Sequence, residues 1–184
     1  MERLDGLDAS YFAPMTPDER SMAFDFLLRG VESGGTEESV YGLFLADSAR
    51  AAPIVRNLLD QGKLRDEAEL IAAQNLFEIE ADPDLIGVFI KHFSNPNAKM
   101  RARAAMRVPC ALFTDLLKVG LEGMIRTETN QLALSHATTK LLKCHGIMRG
   151  LVPKEVYSSL YLGLQVDNVS VREANLRRLA AFRI

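Results

Sequence analysis

The chain has 184 residues, 48% of them hydrophobic and 25% charged, with a net charge of -2. That length can bury one ordinary core, and no apolar stretch approaches the roughly 20 residues needed to cross a bilayer. The amino terminus lacks the basic start and apolar run of a secretory leader, and two cysteines make no disulfide framework, so the expectation is a cytoplasmic protein with no membrane partner.

In chain order, residues 1–15 read as a lead-in segment, with Leu4, Leu7, Tyr11 and Phe12 available to cover the first helix. Thr16-Pro17-Asp18-Glu19 opens that helix with an N-cap, a first-turn proline and a capping box, and Gly34-Gly35 stops it. Thr36-Glu37-Glu38 starts a second helix, and Pro53 sits just inside a third over 52–60. Helical spacing of Leu64, Ala68, Ile71, Ala72 and Leu76 predicts a helix over about 64–79. Further helices are predicted over 83–93, 97–107, 109–121, 127–143, 153–165 and 169–182. About ten helices joined by short loops make an all-α chain of antiparallel pairs.

Three stretches share one grammar: 58–72, 93–108 and 164–179 each run from an apolar helix end through a short turn into an apolar-Arg pair. The pairs are Leu64-Arg65, Met100-Arg101 and Val171-Arg172, separated by 36 and then 71 residues. One period followed by almost two is the mark of a helical repeat, in which each unit stacks on its neighbours. Small alanines at 68, 72, 104 and 105 would let the helices of a pair approach closely. On these residues the chain resembles the HEAT-like repeat family. The resemblance implies an α-α superhelix of stacked antiparallel pairs over 16–184 as one domain. It also implies that Arg65, Arg101 and Arg172 form a structural ladder, with Asp60, Asn95 and Asp167 as their partners in the preceding turns.

Charge is divided along the sequence. Residues 1–92 carry 8 Lys/Arg against 18 Asp/Glu, and residues 93–184 carry 14 against 6. If sequence order is spatial order, one end is acidic and the other basic, and such a field steers charged partners.

No catalytic constellation emerges. Cys144-His145 is an adjacent pair whose side chains diverge by about 100° on a helix, and no CxxC, HxxxH or HExxH suggests a metal. His136 and Lys140 lie one turn apart, which a partly buried pair explains. Cys110 follows Pro109 at a predicted helix start, where a thiolate gains stabilisation, although a small buried hydrophobe is the simpler reading. The glycines make no phosphate loop. The carboxylates of Glu78, Glu80, Asp82 and Asp84 miss the spacing of a calcium loop. The expectation is therefore a protein without cofactor or metal that is not an enzyme.

Two functions remain as expectations. In the first, an inhibitor or adaptor binds another protein, as small HEAT-like immunity proteins bind a basic toxin or nuclease domain, through Asp66, Glu67, Glu69, Glu78 and Glu80. In the second, the resemblance extends to DNA-repair glycosylases, and Arg103, Arg107, Arg177 and Arg178 bind nucleic acid. The absence of Trp and of aromatics among those arginines counts against it. The apolar carboxyl-terminal Ala180-Ala181-Phe182-Arg183-Ile184 either packs as a cap or joins a second copy as a homodimer.

Overall fold

The computed structural model describes residues 7–181. Among these the protein is all-α, with ten α-helices and no strand. The helices are α1 (Ala9–Phe12), α2 (Pro17–Glu32), α3 (Glu37–Asp60), α4 (Asp66–Glu80), α5 (Ile86–Phe93), α6 (Ala98–Arg107), α7 (Asp115–Thr127), α8 (Gln131–Cys144), α9 (Lys154–Gln165) and α10 (Val169–Ala180). Where the sequence suggests one domain over 16–184, the helices cluster into two compact units, divided between Leu85 and Ile86. Leu4 and the last three residues, Phe182–Ile184, lie outside the described residues.

In the first unit, α3 packs against both α2 and α4. The capping box expected at Thr16 forms, and a second one opens α3. Thr16 and Glu19 exchange bonds at the start of α2, and Thr36 and Ser39 do so at the start of α3. Phe24 and Val31 of α2 and Val40, Leu43 and Val55 of α3 are fully enclosed. Phe12 is buried, its carbonyl accepts a bond from Arg20 of α2, and α1 packs against α3.

The helix expected over 52–60 differs from the observed one. It begins earlier and is continuous with its predecessor, except for a kink at Asp47, whose backbone is extended (φ -159°, ψ 96°). Asp47 accepts a bond from the Arg50 amide through its own carboxylate, at 3.0 Å. It therefore caps the second half of α3 as an N-cap would, and Pro53 sits in the second turn.

The second unit is built from three hairpins in two layers. One layer is α5, α7 and α10; the other is α6, α8 and α9. Leu117, Leu121, Met124 and Ile125 repeat at helical spacing on the buried side of α7. In the other layer Ala102, Ala104 and Ala105 of α6 and Ala133 and Ala137 of α8 are buried, which lets these helices approach closely. Gly120 serves the same purpose between α7 and α5, because a Cβ there would lie 3.1 Å from the Phe93 ring.

The third hairpin does not repeat the first two. Helix α9 packs on α8, and α10 packs on α7, so the first helix of this pair continues the layer of second helices. The α8–α9 pair is antiparallel, since Gln131 meets Gln165 and Ser135 meets Tyr161. The α7–α10 pair is antiparallel too, since Arg126 near the end of α7 meets Glu173 near the start of α10. The turns at Gly146 and Gly150, both with positive φ, keep the chain in the same layer between α8 and α9.

Helix α7 starts later than the sequence suggests. Pro109 leads only into a 3-10 turn, and Thr114 is the true N-cap, accepting from the Leu117 amide. At the other end of the first unit, α4 stops at Ala81 in a left-handed conformation (φ 52°) that a Cβ makes costly. Ala81→Gly is expected to raise stability by about 0.5–1 kcal/mol, measured by chemical denaturation.

Candidate functional site

The three arginines expected to form a ladder take different positions. Arg101 and Arg172 are each the fourth residue of their helix, three after the first residue that follows an asparagine cap, Asn97 or Asn168. Arg65 is instead itself the residue preceding α4, exposed and making no side-chain cap bond. The residues that precede α4, α6, α8 and α10 are Arg65, Asn97, Asn130 and Asn168, spaced by 32, 33 and 38 residues. The 36-residue step from Arg65 to Arg101 is therefore out of register, and the fourth position of α4 is Glu69. Asp60 and Arg65 form no ion pair among the described residues.

Arg101 and Arg172 both bond within the fold, but to other partners than expected. Arg101 takes the backbone carbonyls of Asn95 (2.8 Å) and Pro96 (3.2 Å) rather than the Asn95 side chain. Its other nitrogens clamp both carboxylate oxygens of Glu128, at 2.6 and 2.8 Å. Arg172, only 5% exposed, finds no carboxylate and donates instead to the carbonyls of Val166, Ile125 and Glu128. The loop between α7 and α8 thus holds α6 through the Glu128 carboxylate and α10 through its carbonyls. Glu128 also accepts from the amides of Thr129 and Asn130.

These contacts hold the Glu128 carboxyl below its ordinary value of 4.5, chiefly through the Arg101 bonds and against the effect of burial. Stability from a depressed carboxylate is complete above its unfolded value and disappears as pH falls through the folded one. Glu128→Gln is therefore expected to flatten the loss of stability below about pH 4.5, relative to the parent, in a urea titration across acid pH. Arg101→Met, which strands the carboxylate, should cost about 3–5 kcal/mol near neutral pH in the same assay.

The five acidic residues expected to present one surface do not do so. Glu69 is only 9% exposed and belongs to the core of its unit. It lies between the buried Ala68 and Leu70 of α4 and offers little surface to another protein. Asp66 and Glu67 open α4 and Glu78 and Glu80 close it, about 20 Å apart along a 15-residue helix. Glu80 is further engaged with Arg56, which also holds Asp82 at 2.8 Å. Glu69→Lys is expected to cost several kcal/mol, while Glu78→Lys changes stability by less than about 0.5 kcal/mol; denaturant midpoints report both.

A different exposed strip, apolar with charged flanks, was not singled out by the sequence. On α2, Asp18, Met22, Asp25, Phe26 and Arg29 lie on one exposed face at helical spacing. Met22 is 72% and Phe26 69% exposed. Helical spacing lets Met22, Phe24, Phe26, Leu27 and Val31 share an apolar face, but of these only Phe24 and Val31 are buried.

The four arginines of the nucleic-acid reading fall in different layers of the second unit. Arg103 and Arg107 stand half-buried on α6, whereas Arg177 and Arg178 stand exposed on α10. Arg177 approaches Glu173 at 3.8 Å and Arg178 donates to Ser159 at 2.8 Å. They do not line one groove.

One more cluster brings chemistry together. Cys110, in the 3-10 turn before α7, and Cys144, the last residue of α8, are free thiols with sulfurs 2.8 Å apart. Lys140, one turn before Cys144, donates to the Val108 carbonyl at 2.5 Å, and burial lowers its ammonium below its ordinary value. Burial also lowers His136 and His145, the latter edge-on to Phe113. Among the described residues no group of three or more His, Cys, Asp or Glu could hold a metal, and no helix is long and apolar enough to cross a membrane. Neither family models, curated proteins nor solved structures yielded a match to this chain.

Proposed function

We propose that this chain is a non-enzymatic, HEAT-like repeat protein of the cytoplasm that binds and restrains a basic partner protein, as an immunity protein restrains a toxin or nuclease domain. The observation that carries this reading is the coincidence of charge with packing. The unit ending at Leu85 holds 18 Asp/Glu against 7 Lys/Arg, a balance of -11. From Ile86 onward there are 6 against 15, a balance of +9. An acidic unit with two large apolar side chains exposed on α2 has the composition of an interface centre within a charged rim.

The chemistry of the partner follows from that strip. Met22 and Phe26 supply apolar anchors one turn apart, and Asp18 and Asp25 flank them. Asp25 also pairs with Arg50 at 2.7 Å, and the Arg50 guanidinium lies 4.1 Å from the centre of the Phe24 ring, so Asp25 is held in place and a basic partner would compete with Arg50 for it. A basic surface with an apolar knob fits this arrangement, and opposite charge raises the rate of encounter.

The test is a pull-down from native cell extract at low and moderate salt, with parent protein and the Met22→Ala/Phe26→Ala double variant. The expected outcome is one basic protein retained in equal stoichiometry by the parent, with affinity reduced at least about tenfold in the variant. Undiminished retention by the variant would overturn the role of the α2 strip. Recovery of only nucleic acid, stripped by salt, would overturn protein binding itself.

A further inference from the structure

The two cysteines lie 34 positions apart in sequence, yet the fold of the second unit brings their sulfurs to 2.8 Å. That is closer than two non-bonded sulfurs ordinarily approach, and beyond the ~2.05 Å of a disulfide bond. Both residues are partly exposed, so a small reagent has access. The Cys144 thiol donates to the Cys110 sulfur, which sets Cys110 as the acceptor of the pair. Close packing of α6 on α8 positions them. It places the end of α8 beside the segment that follows α6, where Lys140 reaches the Val108 carbonyl.

We propose that Cys110 and Cys144 are a hydroperoxide-responsive dithiol, converted by hydrogen peroxide into an intramolecular disulfide that ties the α6–α7 connection to the end of α8. The bond from Cys144 holds the Cys110 thiol down at about 6, helped by the charges of Lys140 and Lys143 and opposed by burial. The same bond, with burial, pushes Cys144 up. Cys110 is therefore the attacking thiolate and Cys144 the resolving thiol.

The reaction balances in two steps. The Cys110 sulfur attacks one peroxide oxygen, the O–O bond breaks, and Cys110 becomes a sulfenic acid. The departing hydroxide is neutralised by the proton that Cys110 released on ionising. The Cys144 sulfur then attacks the Cys110 sulfur, an S–S bond forms, and the S–O bond breaks. That oxygen leaves as water with the Cys144 proton. Two thiols lose two electrons, and one peroxide is reduced to two waters.

The pairing is independent of the proposed binding strip, which lies on α2, so each idea can fail alone. The test treats the reduced full-length chain with stoichiometric hydrogen peroxide, then alkylates it and measures the intact mass. The expected result is a monomer lighter by about 2 Da, carrying no alkyl group, and restored by dithiothreitol. Cys144→Ser, unable to resolve, should accumulate a sulfenic acid trapped by dimedone, and Cys110→Ser should trap at least about tenfold less. In denaturant, where the fold no longer pairs the sulfurs, disulfide formation should slow by about tenfold or more. A mass gain of about 16 or 32 Da in the parent, a disulfide-linked dimer, or equal rates in folded and unfolded chain would overturn the proposal.

Discussion

The second unit depends on one carboxylate. Glu128, whose side chain is 2% exposed, sits in the loop between α7 and α8, where a buried charge would be costly without a partner. Arg101 supplies that partner from α6 in a two-pronged geometry that suits guanidinium and would not suit lysine. The Arg101 guanidinium in turn reaches two backbone carbonyls in the turn before its own helix. A single pair therefore fixes the loop before α6 against the loop before α8. Arg172 adds α10 from the other layer through carbonyls alone, which leaves no carboxylate to neutralise.

Much of the local structure was legible because its causes are local. Thr16 with Glu19 and Thr36 with Ser39 close around their own helix starts, and alanines at 68, 72, 104 and 105 are buried as expected. Where two local signals competed, sequence reading chose the stronger-looking one. Pro109 suggested a helix start, but Thr114 offers an oxygen to the backbone and Pro109 does not. At Asp47 the backbone leaves the helix, and its carboxylate caps the continuation.

What the sequence could not show depends on neighbours distant along the chain. Glu128 carries no local mark that distinguishes it from other loop carboxylates, and its importance appears only when Arg101 is brought to it. Cys110 and Cys144 likewise sit in no recognisable spacing, because the stacking of α6 on α8 pairs them. Arg65 does not occupy the helix position of Arg101 and Arg172 for a related reason. An apolar-Arg pair recurs there by composition, while the feature that recurs by structure is the asparagine cap at 97, 130 and 168, which Arg65 does not supply. Charge division, by contrast, survives folding, since the boundary between acidic and basic sequence lies close to the boundary between compact units.

The reversed third hairpin also has an electrostatic consequence. Each helix carries partial positive charge at its start and partial negative charge at its end, and neighbours that run the same way set like ends together. Helix α10 runs against α7, so its positive end lies beside the negative end of α7, at the carbonyl of Ile125. A cation so near a helix start is ordinarily disfavoured, yet Arg172 reaches out of its own helix to the terminal carbonyls of another. The arginine thus completes a head-to-tail circuit between two backbone dipoles, which explains why a buried guanidinium can do without an acid.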